Sequence, residues 1–145
     1  MSVERVLLPS SEVLDALRRL TPQLTENRAP PEMQDLELLL ASQWNVLAVA
    51  RHPDERSPIA GAGALGVYRV PTGVRAVIED IVVDASARGH GIGEAITRFL
   101  LEAARTIGAP GVSLTSNPRR LEANRLYLRM GFALRQTNSY FYTFR

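Results

Sequence analysis

The stretch VIEDIVVDASARGHGIGEAITRFLLEAARTIG, residues 77–108, holds side chains and spacings that can do chemistry. Glu79 and Asp80 sit side by side in an apolar run, and strand alternation sends them to opposite faces unless a bulge re-aims one. One carboxylate there can take a proton from a substrate, directly or through a water. Both acids can equally be structural partners for arginines of neighbouring strands. Downstream, RGHGIG (Arg88 to Gly93) places glycines at 89, 91 and 93 where an amphipathic segment begins. Backbone N–H groups can converge there at the positive end of a helix, and glycines let an anion such as a phosphate approach the chain. A tight strand-to-helix turn is the plain structural alternative. Two familiar phosphate loops do not fit. The P-loop requires a lysine, and the dinucleotide fingerprint spaces its glycines G-x-G-x-x-G rather than G-x-G-x-G.

The surrounding elements must position these groups. Val3 to Pro9 predicts a first strand, and Ser10 or Ser11 can cap a helix through Leu20 with Val13, Leu14, Leu17 and Leu20 on one face. Pro30-Pro31 breaks the chain before a second helical pattern over 32–42. NVLAVAR predicts a strand, HPDERSP a polar loop, and IAGAGALGVYRV a strand that turns at Pro71-Thr72-Gly73 into the one carrying Glu79. GAGAL, 61–65, reads as small-residue packing in a central strand, with backbone access for a substrate as the lesser alternative. Ile92, Ala95, Ile96, Phe99, Leu100, Ala103 and Ile107 recur at helical spacing until Gly108 and Pro110. GVSLT predicts a short strand. Asn117 and Pro118 then predict the start of a last helix, which Gly131 ends. FALRQ and SYFYTFR flank Thr137-Asn138 as a final hairpin. The whole predicts an α/β fold with a mixed sheet and no internal repeat or domain boundary.

Composition narrows the chemistry. The chain has 145 residues, 46% apolar and 22% charged, as expected for one globular domain. No apolar run approaches the roughly 18 residues of a bilayer span, and the first residues lack a signal-peptide pattern. The absence of cysteine excludes disulfides, thiolate metal sites and cysteine nucleophiles. The two histidines, His52 and His90, lie far apart in sequence, which argues against a histidine-based metal site. Every basic residue is arginine, so lysine Schiff-base chemistry is excluded while planar donors for phosphate or carboxylate remain. Residues 1–44 carry 4 Arg against 7 acids and residues 45–145 carry 13 Arg against 8 acids. The excess is too small to point to nucleic acid, and a cytoplasmic protein away from membranes is the expectation.

Arg88, Gly91 and Gly93 in R-x-x-G-x-G after a strand, with Asn124, Tyr127, Gly131 and Phe132 in NRLYLRMGF, carry a resemblance. The chain resembles the GNAT superfamily of acetyl-CoA-dependent N-acetyltransferases. The likeness runs along nearly the whole chain and is strongest over 79–93 and 117–132. IEDIVVD and the aromatic last strand resemble the glucosamine-phosphate N-acetyltransferase branch. The resemblance implies one acetyltransferase domain over 1–145, with a mostly antiparallel central sheet splayed at a β-bulge and helices on both faces.

It also implies acetyl-CoA as acetyl donor, no metal, and direct attack by an amine in a ternary complex. Backbone groups of Ile81, Val82 and Val83 would pair with the pantetheine arm. N–H groups of Arg88, Gly89, His90, Gly91, Ile92 and Gly93 would hold the pyrophosphate, with the His90 ring itself in solvent. Asn124 would bond the arm. A strand N–H would meet the thioester oxygen, and Tyr127 would protonate the departing thiolate. Glu79 would accept the amine proton, with Asp80 or water in reserve. Arg119, Arg120, Arg125 and Arg129 gather around the last helix, where one or two could meet a cofactor phosphate or an anionic substrate. The acceptor is a small-molecule or peptide amine, shaped by the first helices, the 52–58 loop and the last hairpin, and the aromatic last strand offers a homodimer contact. A non-catalytic acyl-CoA-binding regulator is the alternative from another class. An arginine-rich nucleic-acid module is disfavoured because the aromatics are not interleaved with the arginines.

Overall fold

Four strands form one antiparallel sheet in sequence order: β1 (Ser2–Arg5), β2 (Asn45–Arg51), β3 (Ile59–Val70) and β4 (Gly73–Val83). The computed structural model describes all residues from Met1 to Arg145. They fall into two compact units, Met1–Thr115 and Ser116–Arg145. The first holds the sheet with helices α1 (Ser11–Leu20), α2 (Met33–Ala41) and α3 (Ile92–Ile107), and the second holds α4 (Leu121–Arg129).

Strand alternation divides the first unit's core into two layers. Leu47 and Val49 of β2, Ala62 of β3 and Val82 of β4 pack with Leu14 and Leu20 of α1 and Leu36 of α2. Ser10 caps α1, its hydroxyl accepting from the Val13 N–H at 3.2 Å. Glu32 opens α2 through a capping box with Asp35. The other face carries α3, which buries Ile92, Ile96, Thr97, Leu100 and Ala104. Helices therefore cover both faces of the sheet.

GAGAL is packing, as the small residues suggest. A Cβ on Gly63 would stand 2.8 Å from Ile96 Cγ2, and one on Gly61 would stand 3.0 Å from Ile92 Cγ2. α3 thus rests directly on the β3 backbone.

Several elements differ from the sequence expectation. β1 ends at Arg5. GVSLT makes only a parallel bridge from Ser113 to Val77, through Ile78 N–H to Ser113 O at 2.9 Å and Ser113 N–H to Ala76 O at 3.0 Å. Asn117 does not cap α4. Its Oδ1 accepts from Arg119 N–H at 2.9 Å and closes a turn, and the helix begins after Arg120. Gly131 does end α4, with φ +98°. Residues 132–145 form no hairpin: no strand is present there, and Leu134, Tyr140, Phe141, Tyr142 and Phe144 are exposed. Apolar alternation specifies a strand only where a partner covers one face, and two short strands alone are marginal.

Gly63→Val should stay folded but lose about 1–3 kcal/mol, the cost of overpacking. Gly66 has open space at its Cβ position, so Gly66→Ala should be close to neutral. Thermal melts of both decide, and an unshifted Gly63→Val would refute the close approach of α3.

Candidate active site

The β3–β4 ladder slips by one residue at the acid pair. Ala62 faces Val82 and Ala64 faces Glu79, so Asp80 and Ile81 together oppose Gly63. Asp80 takes φ +54°, a left-handed conformation that Asp tolerates better than most residues and that a bulge of this kind requires. The extra residue resets the alternation: Ile81 reaches Gly63 on the α3 face and Val82 enters the α1–α2 core. Glu79 and Asp80 are both left exposed. Neither joins an ion pair, so they do not serve as arginine partners.

Beyond the bulge, backbone direction follows from one bond. Asp84 N–H donates to Ala60 O at 2.8 Å. In an antiparallel ladder, Val82 then also faces β3, while Ile81 and Val83 turn their N–H and C=O groups outward. Val82, expected to pair with the pantetheine arm, instead has its backbone groups committed to β3. Val83 O accordingly accepts from Arg88 Nε at 3.4 Å. The segment 111–115 pairs with β4 only at Val77, so the outer edge at Ile81 and Val83 lies past that bridge.

The strand leads through a 3-10 turn, Ala85–Ala87, into the glycine loop. Gly89 and Gly91 adopt φ +83° and +75°, and nothing lies within 4 Å of where a Cβ would stand at either. Gly91 is the N-cap of α3, and no side chain caps it. The helix therefore presents its first-turn N–H groups, which have no intrahelical acceptor, at the positive end of its dipole.

Asp84 secures the start of this loop. Its Oδ1 accepts from Ser86 N–H at 3.1 Å and Ser86 Oγ at 2.9 Å, and its Oδ2 pairs with Arg19 of α1. Arg19 also donates to Ile59 O at 2.7 Å. Hydrogen bonds from Ser86, then the Arg19 charge, hold the Asp84 carboxyl below the usual carboxylate range. A cavity of about 350 Å³ opens beside the loop, lined by Arg19, His52, Ile59, Asp84 and His90 among others.

His52 and His90, distant in sequence, meet there with ring centroids 4.6 Å apart. No cluster of three or more His, Cys, Asp or Glu side chains is placed to hold a metal. Sequence spacing gave no sign of the histidine contact. The Asp84 latch had a local signal, since D-A-S is an aspartate two residues before a serine at a strand end.

In the second unit, Asn124 and Tyr127 lie three residues apart on α4. Asn124 Nδ2 donates to Asn117 O at 3.1 Å, which leaves its Oδ1 as an acceptor. Tyr127 is buried and meets Phe132 edge-on at 5.7 Å between centroids. Burial raises the Tyr127 hydroxyl above the ordinary phenol value, opposed in part by the Arg120 charge. Arg119, Arg120, Arg125 and Arg129 are exposed.

A bulged strand edge feeding a glycine-rich helix mouth can take an extended ligand beside an anionic group, and comparison with known proteins shows the family to which the chain belongs. The sequence model of the acetyltransferase (GNAT) family matches residues 13–132, across parts of both units. This chain belongs to that family. It is 34% identical over 115 residues to glucosamine 6-phosphate N-acetyltransferase 1 of Oryza sativa subsp. japonica, covering 77% of this chain and 66% of that protein. The chain thus spans just under two thirds of that relative's length. Among solved structures, an aminoglycoside acetyltransferase from an uncultured soil metagenomic sample, in complex with sisomicin, superposes with TM-score 0.85 at 20% identity, covering 99% of this chain and 96% of that one. Glucosamine-6-phosphate N-acetyltransferase from Arabidopsis thaliana gives TM-score 0.79 at 22% identity, covering 98% and 99%. No helix here is long and apolar enough to cross a membrane.

Asp84→Asn should lower stability at neutral pH by on the order of 1 kcal/mol, with the ion pair discounted for solvent screening. A depressed carboxyl stabilises the folded state above its unfolded pKa, and that contribution is lost as pH falls through the folded value. The gap between wild type and Asp84→Asn should therefore close on acidification. A gap independent of pH would remove the carboxylate charge from the account.

Proposed function

We propose that this chain is a cytoplasmic, single-domain N-acetyltransferase that moves the acetyl group of acetyl-CoA onto a primary amine by direct attack in a ternary complex. The observation that carries the reading is the outward backbone of Ile81 and Val83 at the bulge, running into a loop whose left-handed Gly89 and Gly91 stand over open space. The arm's amides bond to Ile81 and Val83 as an added strand would, and Val82 fixes the strand between them by its burial. N–H groups from Arg88 to Gly93, with Gly91 at the centre, bind the pyrophosphate. The Asn124 amide oxygen accepts from the arm.

The acetyl thioester oxygen takes the Ile81 N–H, which stabilises the charge that develops when the amine attacks. Glu79, exposed beside the bulge, accepts the amine proton directly or through a water, with Asp80 as its neighbour in reserve. As the C–S bond breaks, Tyr127 gives its proton to the thiolate, a role served by burial that keeps the phenol protonated. An amino sugar is the first acceptor class to test, because the rice relative is named for glucosamine 6-phosphate and the soil enzyme was solved with sisomicin. Peptide amines are the second.

The test is release of CoA thiol with a panel of amines, run on wild type, Tyr127→Phe and Glu79→Gln. Tyr127→Phe should keep its melting temperature and acetyl-CoA affinity while kcat and kcat/KM fall together by about 10²-fold, the scale of a positioned acid. Glu79→Gln should lose most turnover at acidic pH, where the amine arrives protonated. Wild-type turnover in Tyr127→Phe would remove Tyr127 from the mechanism. Acetyl-CoA that raises the wild-type melting temperature without thiol release for any amine would instead favour the regulatory binding module.

We also propose that the exposed segment 132–145, whose Tyr140, Phe141, Tyr142 and Phe144 are each at least 80% exposed, is covered by the same segment of a second copy. Sedimentation should show a dimer that Phe141→Asp with Phe144→Asp returns to monomer. A wild type that is monomeric at all concentrations would reject the contact.

A further inference from the structure

Between the left-handed Gly89 and Gly91, the glycine loop has one side chain, that of His90. Nothing lies near the Cβ positions of the flanking glycines, so contacts through His90 bear on the shape of this part of the loop. One contact is local: His90 Nδ1 lies 3.1 Å from Ala87 O, and because a carbonyl only accepts, Nδ1 carries the proton. The other comes from outside the loop, where the His52 ring meets the His90 ring at 4.6 Å and 40°.

His52 is itself on a firm mount. It follows directly on Arg51, the last residue of β2, which pairs with Ser2 and Ile59. The Arg51 guanidinium donates to Glu12 at 2.6 Å and to Ser57 O at 3.1 Å, tying the 52–58 loop to α1. Within that loop Asp54 Oδ1 accepts from Arg56 N–H at 2.9 Å and Ser57 Oγ at 3.1 Å. The Nδ1 of His52 is buried and has no hydrogen-bond partner. Its contact with His90 is therefore one of ring against ring.

We infer that His52 is a positioning residue for the pyrophosphate loop: it braces His90 from the 52–58 loop and so holds the Gly89–Gly91 backbone in its anion-receiving shape. The inference rests on the acetyl-CoA reading for its effect on affinity, but not for its effect on the loop. No chemistry passes through His52, and what it supplies is preorganisation. An aromatic contact of this size corresponds to an affinity change of about 2- to 10-fold.

The experiment compares wild type, His52→Ala and His52→Phe. In His52→Ala, Kd and KM for acetyl-CoA should rise by about 2- to 10-fold with kcat little changed, and amide hydrogen exchange over 89–92 should quicken in the ligand-free protein. His52→Phe keeps a ring and removes a buried polar atom, so it should restore both the affinity and the slow exchange. Folded His52→Ala with wild-type exchange and wild-type affinity would overturn the inference, as would His52→Phe behaving like His52→Ala. If wild type fails to bind acetyl-CoA at all, the functional reading falls, and exchange over 89–92 alone then decides the brace.

Discussion

The contact on which the rest depends is that of α3 with the bare backbone of β3. Gly61 and Gly63 leave no side chain between them and Ile92 or Ile96, so the helix lies as close to the sheet as backbone and side chain allow. Ile92 is the first residue of α3 and is almost wholly buried. Anchoring the helix at its first residue also anchors the N–H groups there, and a binding site made of backbone is only as well placed as the helix that carries it. The glycines of β3 and those of the loop thus do different work. The first pair permits approach within the core, and Gly89 and Gly91 permit left-handed backbone over open space.

The bulge in β4 solves a second constraint. Without the extra residue, strict alternation would exchange the faces of Ile81 and Val82 and place Asp80 against α3. Inserting Asp80 in a left-handed conformation keeps Ile81 on the α3 face and Val82 in the opposite core. Both carboxylates stay in solvent. The same slip leaves the outward backbone at Ile81 and Val83 beyond the single bridge to Ser113. One irregularity therefore provides both an open strand edge and two accessible acids.

Features fixed by local chemistry were legible in the residues. Ser10, Gly108 and Gly131 mark helix ends through caps and left-handed turns that involve near neighbours only, and each stands where its type predicts. The turn into α3 was legible because glycines at a helix mouth are a local feature, and Gly89 and Gly91 take the left-handed backbone that their type allows. Features that need a distant partner were not. The aromatic pattern of SYFYTFR reads as a strand, but pattern cannot state which surface will pair with it, and no strand is present. Asn117 carries a capping side chain whose oxygen is taken by a turn two residues on. His52 and His90 meet only because β2 ends beside the start of α3, a fact of topology that spacing does not contain.

The two groups to which proton transfer is proposed to fall sit in contrasting surroundings. An acid that must keep its proton until a C–S bond breaks gains from desolvation, since burial disfavours the phenolate. Tyr127 is buried, with its hydroxyl shifted upward chiefly by that burial. A base that clears a proton from an incoming amine has a different need, because the proton must eventually reach solvent. Glu79 stands exposed and free of ion pairs, so a water can lie between it and the amine and carry the proton on. Under the proposed assignment burial keeps the acid protonated, whereas the base meets its proton only when an acceptor arrives. If the proposal holds, acceptor choice bears on the step at Glu79, in keeping with the rule that one fold serves many substrates through the groups placed on it.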